Sequence, residues 1–349
     1  MLSGGSRQLF GARAPFRLET VLRAYLCGGF VSSRTMFSHA AFRHLTQRAF
    51  REPGNHRLFG ALFLHTEWLG NYAESRDFYT ALLDRHPYCG YAWYNLGWVL
   101  SRFDEIELAL EAFEFAYLAQ PSLKEAYDTY AAWALVQGQP RRAWLCYEEM
   151  ERHLEPDVED LCRLAMSQRL CGALREAKKT CRLALQLEPD HSEACYQLAA
   201  CFAQEQAYGE AVRWLRQALR TQATHAYAHR LLADIYNRLR HFTLAHRHAR
   251  LALECEPDFA AAWMCLLKSL FFQQRYDEAV QAVEEALEYI EDPELLYCAS
   301  ACCFLAGRRV HAFGWLKRAT EKAPHRVALL FEWAPELRGD EDVQKATRF

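Results

Sequence analysis

The sequence has no stretch of eighteen consecutive apolar residues and none of the familiar catalytic motifs. The missing apolar stretch excludes a typical transmembrane helix, so we expect a soluble, cytoplasmic protein without membrane insertion. GxSxG, HExxH, an EF-hand loop and a glycine-rich phosphate loop are all absent, which removes the usual signals of catalysis and nucleotide binding. We therefore expect a chain that is not an enzyme and needs no cofactor.

A CxxC pair, typical of zinc-binding or redox-active cysteines, is also missing although the chain has thirteen cysteines. The densest group of cysteines lies among alanine, serine and phenylalanine. Histidines are frequent between residues 225 and 248, where we expect His225 in a turn and His229 in a core position, pointing apart. We predict reduced thiols and no metal site. The residues considered as ligands are Cys298, Cys302, Cys303, His225, His229, His241, His246 and His248.

Acidic residues are scarce at the start of the chain. Residues 1–70 contain nine arginines, no lysine and only three acids, Glu19, Glu52 and Glu67, whereas the whole chain has 41 basic and 44 acidic side chains. This balance gives no overall basic field for nucleic acid or an anionic membrane. We interpret residues 1–21 as a flexible basic tail, with a targeting peptide as the alternative.

A repeating step of about 34 residues organises the rest of the chain. An alanine recurs at this interval six times, and prolines stand near the ends of most of the resulting units. Such a spacing is typical of a structural unit that is copied along the chain, not of a chemical site that is built once. The alanines are Ala109, Ala143, Ala177, Ala211, Ala245 and Ala279.

The unit at residues 90–123 shows the pattern most completely, with W-x2-L-G from Trp93 to Gly97, a small residue in the middle of the unit and Pro121 near its end. This pattern resembles the tetratricopeptide repeat, which pairs two helices. The resemblance implies an all-α, right-handed α-solenoid of stacked helix pairs. The segment "LFEWAPEL" also looks like the end of long bacterial tetratricopeptide arrays.

The resemblance divides the chain into four parts. Residues 1–21 are the tail, residues 22–55 a degenerate helix pair, residues 56–326 eight repeat units, and residues 327–349 a capping helix with a terminal tail. A cap is expected because a terminal repeat otherwise exposes an apolar face. The capping helix is predicted from Val327 to Trp333. The eight units are expected to begin near residues 56, 90, 124, 158, 192, 226, 260 and 293.

In tetratricopeptide arrays the first helix of each pair lines an inner groove, and the resemblance implies that unit positions 2, 5, 9, 12 and 13 form its wall. We expect this groove to bind a protein or peptide segment through exposed aromatic and arginine anchors. Packing between helices is the alternative role of each ring. The expected groove residues are Trp68, Tyr94, Trp98, Arg102, Asp128, Tyr196, Gln204, Tyr227, Arg230, Asp234, Asn237, Arg238, Lys268, Phe271 and Tyr297.

Other functions stay open beside an interaction scaffold. The chain could be an accessory subunit of an enzyme or secretion complex, or an RNA-binding protein, since some helical repeats read one base per unit. RNA binding favours a continuously basic groove. The expected first-helix positions instead mix Asp128, Glu159 and Glu193 with Arg163 and Arg230. No three consecutive units supply the lysine–asparagine clamp by which some family members bind chaperone tails, so the partner stays unidentified.

Overall fold

The computed structural model describes residues 37–347, which form helices and turns without any β-strand. The all-α fold class predicted from the repeat is therefore confirmed. The predicted tail at residues 1–21, and residues 22–36 of the predicted degenerate pair, lie outside the described residues. None of the helices between residues 37 and 347 combines the length and apolar composition needed to cross a membrane.

Helices follow one another in pairs, and from residue 56 onward the first helices of the pairs begin at a nearly constant interval. Two 3-10 helices, Pro324–Arg326 and Pro335–Gly339, lie near the end of the chain. The α-helices are α1 (His39–Ala49), α2 (His56–Leu69), α3 (Tyr72–Arg85), α4 (Gly90–Arg102), α5 (Ile106–Ala119), α6 (Lys124–Val136), α7 (Pro140–Met150), α8 (Val158–Leu170), α9 (Leu174–Leu187), α10 (Ser192–Gln204), α11 (Tyr208–Thr221), α12 (Ala226–Arg238), α13 (Phe242–Cys255), α14 (Ala260–Phe272), α15 (Tyr276–Ala286), α16 (Pro293–Leu305), α17 (Arg309–Lys322), α18 (Ala328–Trp333) and α19 (Glu341–Thr347).

Side-chain caps fix several of the helix starts. Asp157 accepts a hydrogen bond from the Asp160 amide, and the Asp160 carboxylate accepts one from the Asp157 amide, which together form a capping box at the start of α8. Asn55 caps α2 in the same sense, and the ring nitrogen of His225 accepts from the Ala228 amide at the start of α12. Polar side chains thus satisfy amides that a helix start leaves unpaired.

The turn inside each pair contains a residue in the left-handed region. Four of these residues are glycines, with φ between 65° and 80°, and four carry side chains, with φ between 59° and 61°. Side-chain-bearing residues adopt this conformation only at a cost, so the surrounding fold must impose it. The residues are Gly70, Asp104, Gly138, Gly172, Gln206, Arg240, Gln274 and Gly307.

The described residues form two compact units, residues 37–180 and residues 181–347. In the first unit, the second helix of each pair packs against the first helix of the same pair through a small side chain. Ala109, Ala143 and Ala177 are almost completely buried. One repeat earlier Ser75 takes the same place and its hydroxyl lies 2.9 Å from the hydroxyl of Thr66, which satisfies both groups inside the pair.

Close approach of two helices in the first unit depends on Gly97 of α4. A methyl group added at this residue would lie 2.6 Å from Cε1 of Phe113 on α5, well inside van der Waals contact. Phe113 is itself fully buried. The aromatic ring therefore rests directly on the backbone of the first helix, and no larger residue fits under it.

The second unit repeats this packing and ends in a cap. Its recurring alanines, at 211, 245, 279 and 312, are fully buried. A short helix, α18, lies where the sequence predicts a cap; it begins at Ala328 and packs on α16. Leu330 and Trp333 of α18 are buried, together with Val343 of α19. The terminal segment thus covers apolar surface that the last helix pair would otherwise expose.

A substitution at Gly172 tests the energetic cost of a side chain in the left-handed turn. A Cβ there meets no atom within 4 Å, so Gly172→Ala should lower the free energy of unfolding only through its φ of +80°, by about 1 kcal/mol. Gly209 in α11 also has open space around it but no positive φ, so Gly209→Ala should leave stability unchanged or raise it by up to about 1 kcal/mol. Urea unfolding of both variants measures the difference. Equal effects of the two substitutions would contradict this account.

Candidate functional site

Aromatic groove residues of the first unit differ in exposure. Trp68 at the end of α2 is 64% exposed and stacks on Phe37 with ring centroids 5.2 Å apart. Trp98 of α4 is only 7% exposed, because the rings of Phe63 and Phe113 pack edge-on against it. The prediction that Trp98 is an exposed anchor is therefore wrong. Its ring belongs mainly to the packing between helices.

Tyr94, one turn before Trp98, is half-buried. Its hydroxyl lies 3.2 Å from the hydroxyl of Thr129 on the next first helix, α6. Burial raises the pKa of Tyr94 above its ordinary value. The Tyr94 hydroxyl thus joins α4 to α6 and stays protonated at neutral pH.

In the first unit, the charged residues expected in the groove form ion pairs. Each pair joins the first helix of one repeat to the first helix of the next repeat. Arg102 Nη2 lies 2.6 Å from Glu67 Oε2, and Arg163 Nη1 lies 2.8 Å from Asp128 Oδ1. Burial raises the pKa of Asp128 although Arg163 counteracts it. In both pairs the partners stand one repeat plus one residue apart, so each ion pair joins one repeat to the next. The polar groups of this face are thus engaged with one another.

Aromatic residues of the second unit form a row on its first helices and at the residues just before them. Ring centroids lie 5.1 Å apart for Tyr196 and His225, 6.3 Å for Tyr196 and Tyr227, and 4.9 Å for Tyr227 and Phe259. Tyr196 is only 8% exposed, so the prediction that it is an exposed anchor is wrong. Tyr227 and Phe259 keep partly exposed rings. Glu193, at the side of the row, lies 3.2 Å from His225 Nε2.

The inner face of α12 carries polar side chains in which some atoms have no hydrogen-bond partner. Asn237 donates through Nδ2 to the Cys265 carbonyl at 2.8 Å, but its Oδ1 is buried without a partner. Arg230 Nε is likewise buried without a partner. Asp234 and Arg238 pair with each other at 3.0 Å. A donor and an acceptor thus stand on one helix face without any group of the described chain to satisfy them.

The remaining groove residues of the second unit have separate surroundings. Gln204 and Lys268 are exposed, at the end of α10 and on α14. Phe271 of α14 packs edge-on against Trp333 of the cap, with ring centroids 5.0 Å apart. The chain itself therefore covers part of the Phe271 ring.

Tyr297 is fully buried, so the prediction that it lines an open groove is wrong. Its hydroxyl donates to the Ala323 carbonyl at 2.9 Å, just beyond the end of α17. Tyr297 takes the place that Met264 has one repeat earlier, since α14 begins at Ala260 and α16 at Pro293. Tyr297 therefore has a core role, in a helix that the cap and its neighbours cover.

His229 takes the structural place of a repeat tryptophan. The indole N–H groups of Trp93 and Trp263 each donate to a carbonyl six residues earlier, at 2.8 Å. His229 Nε2 lies 3.0 Å from the Ala223 carbonyl, again six residues earlier, which assigns the ring proton to Nε2. Nδ1 then accepts from His248 Nδ1 at 3.1 Å. Between residues 37 and 347, no three histidine, cysteine or acidic side chains are grouped to hold a metal ion.

Two family models described as tetratricopeptide repeat match the chain, one at residues 172–235 and the other at residues 69–122 and 230–295. The chain matches none of the curated protein sequences.

Solved structures with similar folds include the APC/C hetero-tetramer Cut9–Hcn1, with a TM-score of 0.49 and 16% identity over 80% of this chain and 52% of that one. The chain thus spans about half the length of this neighbour. YrrB, described as a TPR protein with an unusual peptide-binding site, has a TM-score of 0.39 and 20% identity over 53% of this chain and 96% of that one. MamA from Desulfovibrio magneticus RS-1 has a TM-score of 0.39 and 20% identity over 47% of this chain and 93% of that one.

The two tryptophans of the first unit give a direct test of exposure. Trp98→Ala should lower the free energy of unfolding by about 3 kcal/mol, because it leaves a cavity beside Phe63 and Phe113. Trp68→Ala removes an exposed ring and should change stability by no more than about 0.5 kcal/mol. Chemical denaturation of the two variants provides the comparison. A Trp98→Ala variant as stable as Trp68→Ala would show that the Trp98 ring does not pack as described.

Proposed function

Because the chain belongs to the tetratricopeptide repeat family, we propose that it is a non-catalytic interaction scaffold that binds a protein or peptide segment on its first helices. The family's repeats support protein interaction in general. We assign the eight repeat units to the helix pairs from α2–α3 to α16–α17. The binding surface that we favour is the inner face of α10, α12 and α14 in the second unit.

Arg230 Nε and Asn237 Oδ1 are the observation that carries this proposal. Both atoms are buried without a hydrogen-bond partner in the described chain, a condition that costs roughly 1–3 kcal/mol for each group. The two residues are seven positions apart on α12, which corresponds to about 10 Å along the helix. An extended peptide covers about the same distance with three residues. One bound segment can therefore span both residues, accepting from Arg230 through a carbonyl and donating to Asn237 through an amide, when these partly exposed side chains turn so that the two buried atoms reach the surface.

Tyr227 supplies an apolar anchor beside these polar atoms. Its ring is partly exposed, packs on Phe259 and lies three residues from Arg230 on the same helix. Burial and the nearby acids Glu256 and Glu193 raise the pKa of Tyr227, so its hydroxyl stays protonated and can donate. An aromatic ring with a polar tip next to an arginine is the combination most often found at energetic centres of interfaces.

The first unit is the weaker candidate for the same role. On its first helices Arg102 pairs with Glu67, and Arg163 pairs with Asp128, so these groups have partners before any ligand arrives. A ligand would have to replace these ion pairs at equal strength. Trp68 is the exposed ring that this face offers.

An accessory role in an enzyme or secretion complex uses the same surface and differs only in the identity of the partner. RNA binding is less favoured, because Glu193 and Asp234 share the surface with Arg230. We also propose a reducing, cytoplasmic location. The twelve cysteines of the described residues are all free thiols, and most are buried.

The test begins with the full chain as bait in a native lysate, followed by identification of the captured partner and calorimetric titration with the purified partner. Arg230→Met and Tyr227→Ala should each weaken binding at least about tenfold, which corresponds to about 1.4 kcal/mol. Lys317→Met, at an exposed site on α17, also removes one positive charge and serves as the control. Its affinity should stay within about twofold of the unmodified chain.

Normal binding by both Arg230→Met and Tyr227→Ala would contradict the proposal. Thermal melts of each variant accompany the titration, because a fall in affinity supports the proposal only where the fold is retained.

A further inference from the structure

The second helices α11 and α13 of the second unit form a basic surface that the proposed groove does not use. Together they carry five arginines and two acids, whereas the whole chain has a net charge of −3. The following second helix, α15, carries four acids and no basic residue. The arginines are Arg213, Arg216, Arg220, Arg247 and Arg250, and the acids of the two helices are Glu210 and Glu254.

Arg216 lacks the acidic partner that its counterpart has one repeat later. That counterpart is Arg250, whose Nη1 lies 2.8 Å from Glu285 Oε2 on α15. The residue one repeat before Glu285 is Leu251, which offers no acceptor. Within the described chain, Arg216 has instead a long hydrogen bond of 3.4 Å to the Tyr236 hydroxyl. The Arg216 guanidinium is thus exposed at a repeat position where the following second helix offers no carboxylate.

Arg247 adds a second exposed positive charge, on α13. The described residues provide it with no salt bridge. Its neighbour His248 stacks on Tyr236 with ring centroids 5.6 Å apart. Burial, His229, Arg247 and Arg216 together lower the pKa of His248 to about 4. Among the described residues, neither Arg216 nor Arg247 forms a salt bridge with a carboxylate, whereas Arg213 and Arg250 do.

We propose that Arg216, beside the Tyr236 hydroxyl, and Arg247 bind an acidic segment of a protein partner. Arginine binds carboxylates through two parallel hydrogen bonds, so the two guanidinium groups can engage two acidic side chains of one segment. This surface lies on the second helices and is separate from the proposed groove on the first helices.

The aromatic rings at this surface favour a peptide over a nucleic acid. Tyr236 is buried and stacked on His248. Trp214 of α11 lies beneath the Arg213 guanidinium, 5.7 Å from the ring centroid. Single-stranded nucleic acids gain affinity by stacking bases on open aromatic rings. Because both rings are engaged within the chain, an acidic peptide fits this surface better.

The experiment measures binding of fluorescein-labelled decaglutamate to the full chain by fluorescence anisotropy at low salt. The test variant is R216Q with R247Q, since glutamine keeps an amide donor for Tyr236 and much of the aliphatic stem. The control variant is K317Q with K322Q, which removes two positive charges from α17 and produces the same net charge. The test variant should lose at least about fivefold in affinity, the control less than about twofold, and added salt should weaken binding by the unmodified chain.

Three results would overturn the proposal. They are undetectable binding of decaglutamate by the unmodified chain, equal losses in the two double variants, and tighter binding of a ten-residue uridine oligonucleotide that the R216Q and R247Q changes abolish. The last result would identify a nucleic-acid surface. If the double variant melts at a lower temperature, R247Q alone serves as the test, because Arg247 has no hydrogen bond to Tyr236 that its loss would remove.

Discussion

The close approach of the two helices in each pair is the constraint on which the rest of this structure depends. It requires a small side chain at one recurring position, an alanine or, in the first of these pairs, Ser75, and the alanines there are buried almost completely. At Gly97 even a methyl group would collide with the Phe113 ring. A buried pair cannot absorb added volume without moving a helix, so these small residues fix the distance between the two helices.

The recurring alanine is the feature that the sequence predicts best. A position that must be small leaves a regular mark that can be read without knowing any contact, and so does the breaking of helices by proline. The left-handed turn was harder to recognise. Gly172 marks it in one unit, whereas Gln206 and Arg240 occupy the same place in later units with similar φ angles. Tertiary packing imposes the conformation there, so the residue type gives no signal.

The exposure of the groove residues was predicted less well. The position of a residue in the repeat indicates which way its side chain points from the helix, but it does not indicate how far neighbouring side chains cover it. Trp98 is covered by Phe63 and Phe113, and the second of these lies on the other helix of its own pair. Phe271 meets Trp333, a residue of the cap that no repeat pattern connects with it. The ion pairs between successive first helices left a detectable signal, namely opposite charges separated by one repeat plus one residue. The lack of hydrogen-bond partners at Arg230 Nε and Asn237 Oδ1 left no signal in the sequence, because it depends on which atoms surround each group in the fold.

Site-specific photo-crosslinking tests the central claim, binding on the first helices of the second unit, most directly. A benzoylphenylalanine at position 268 would project from the exposed face of α14, and one at position 317 from the exposed face of α17. With a captured partner present, the account predicts crosslinks from position 268 and few from position 317. Crosslinks from position 317 with none from position 268 would contradict it and place the partner on the second helices.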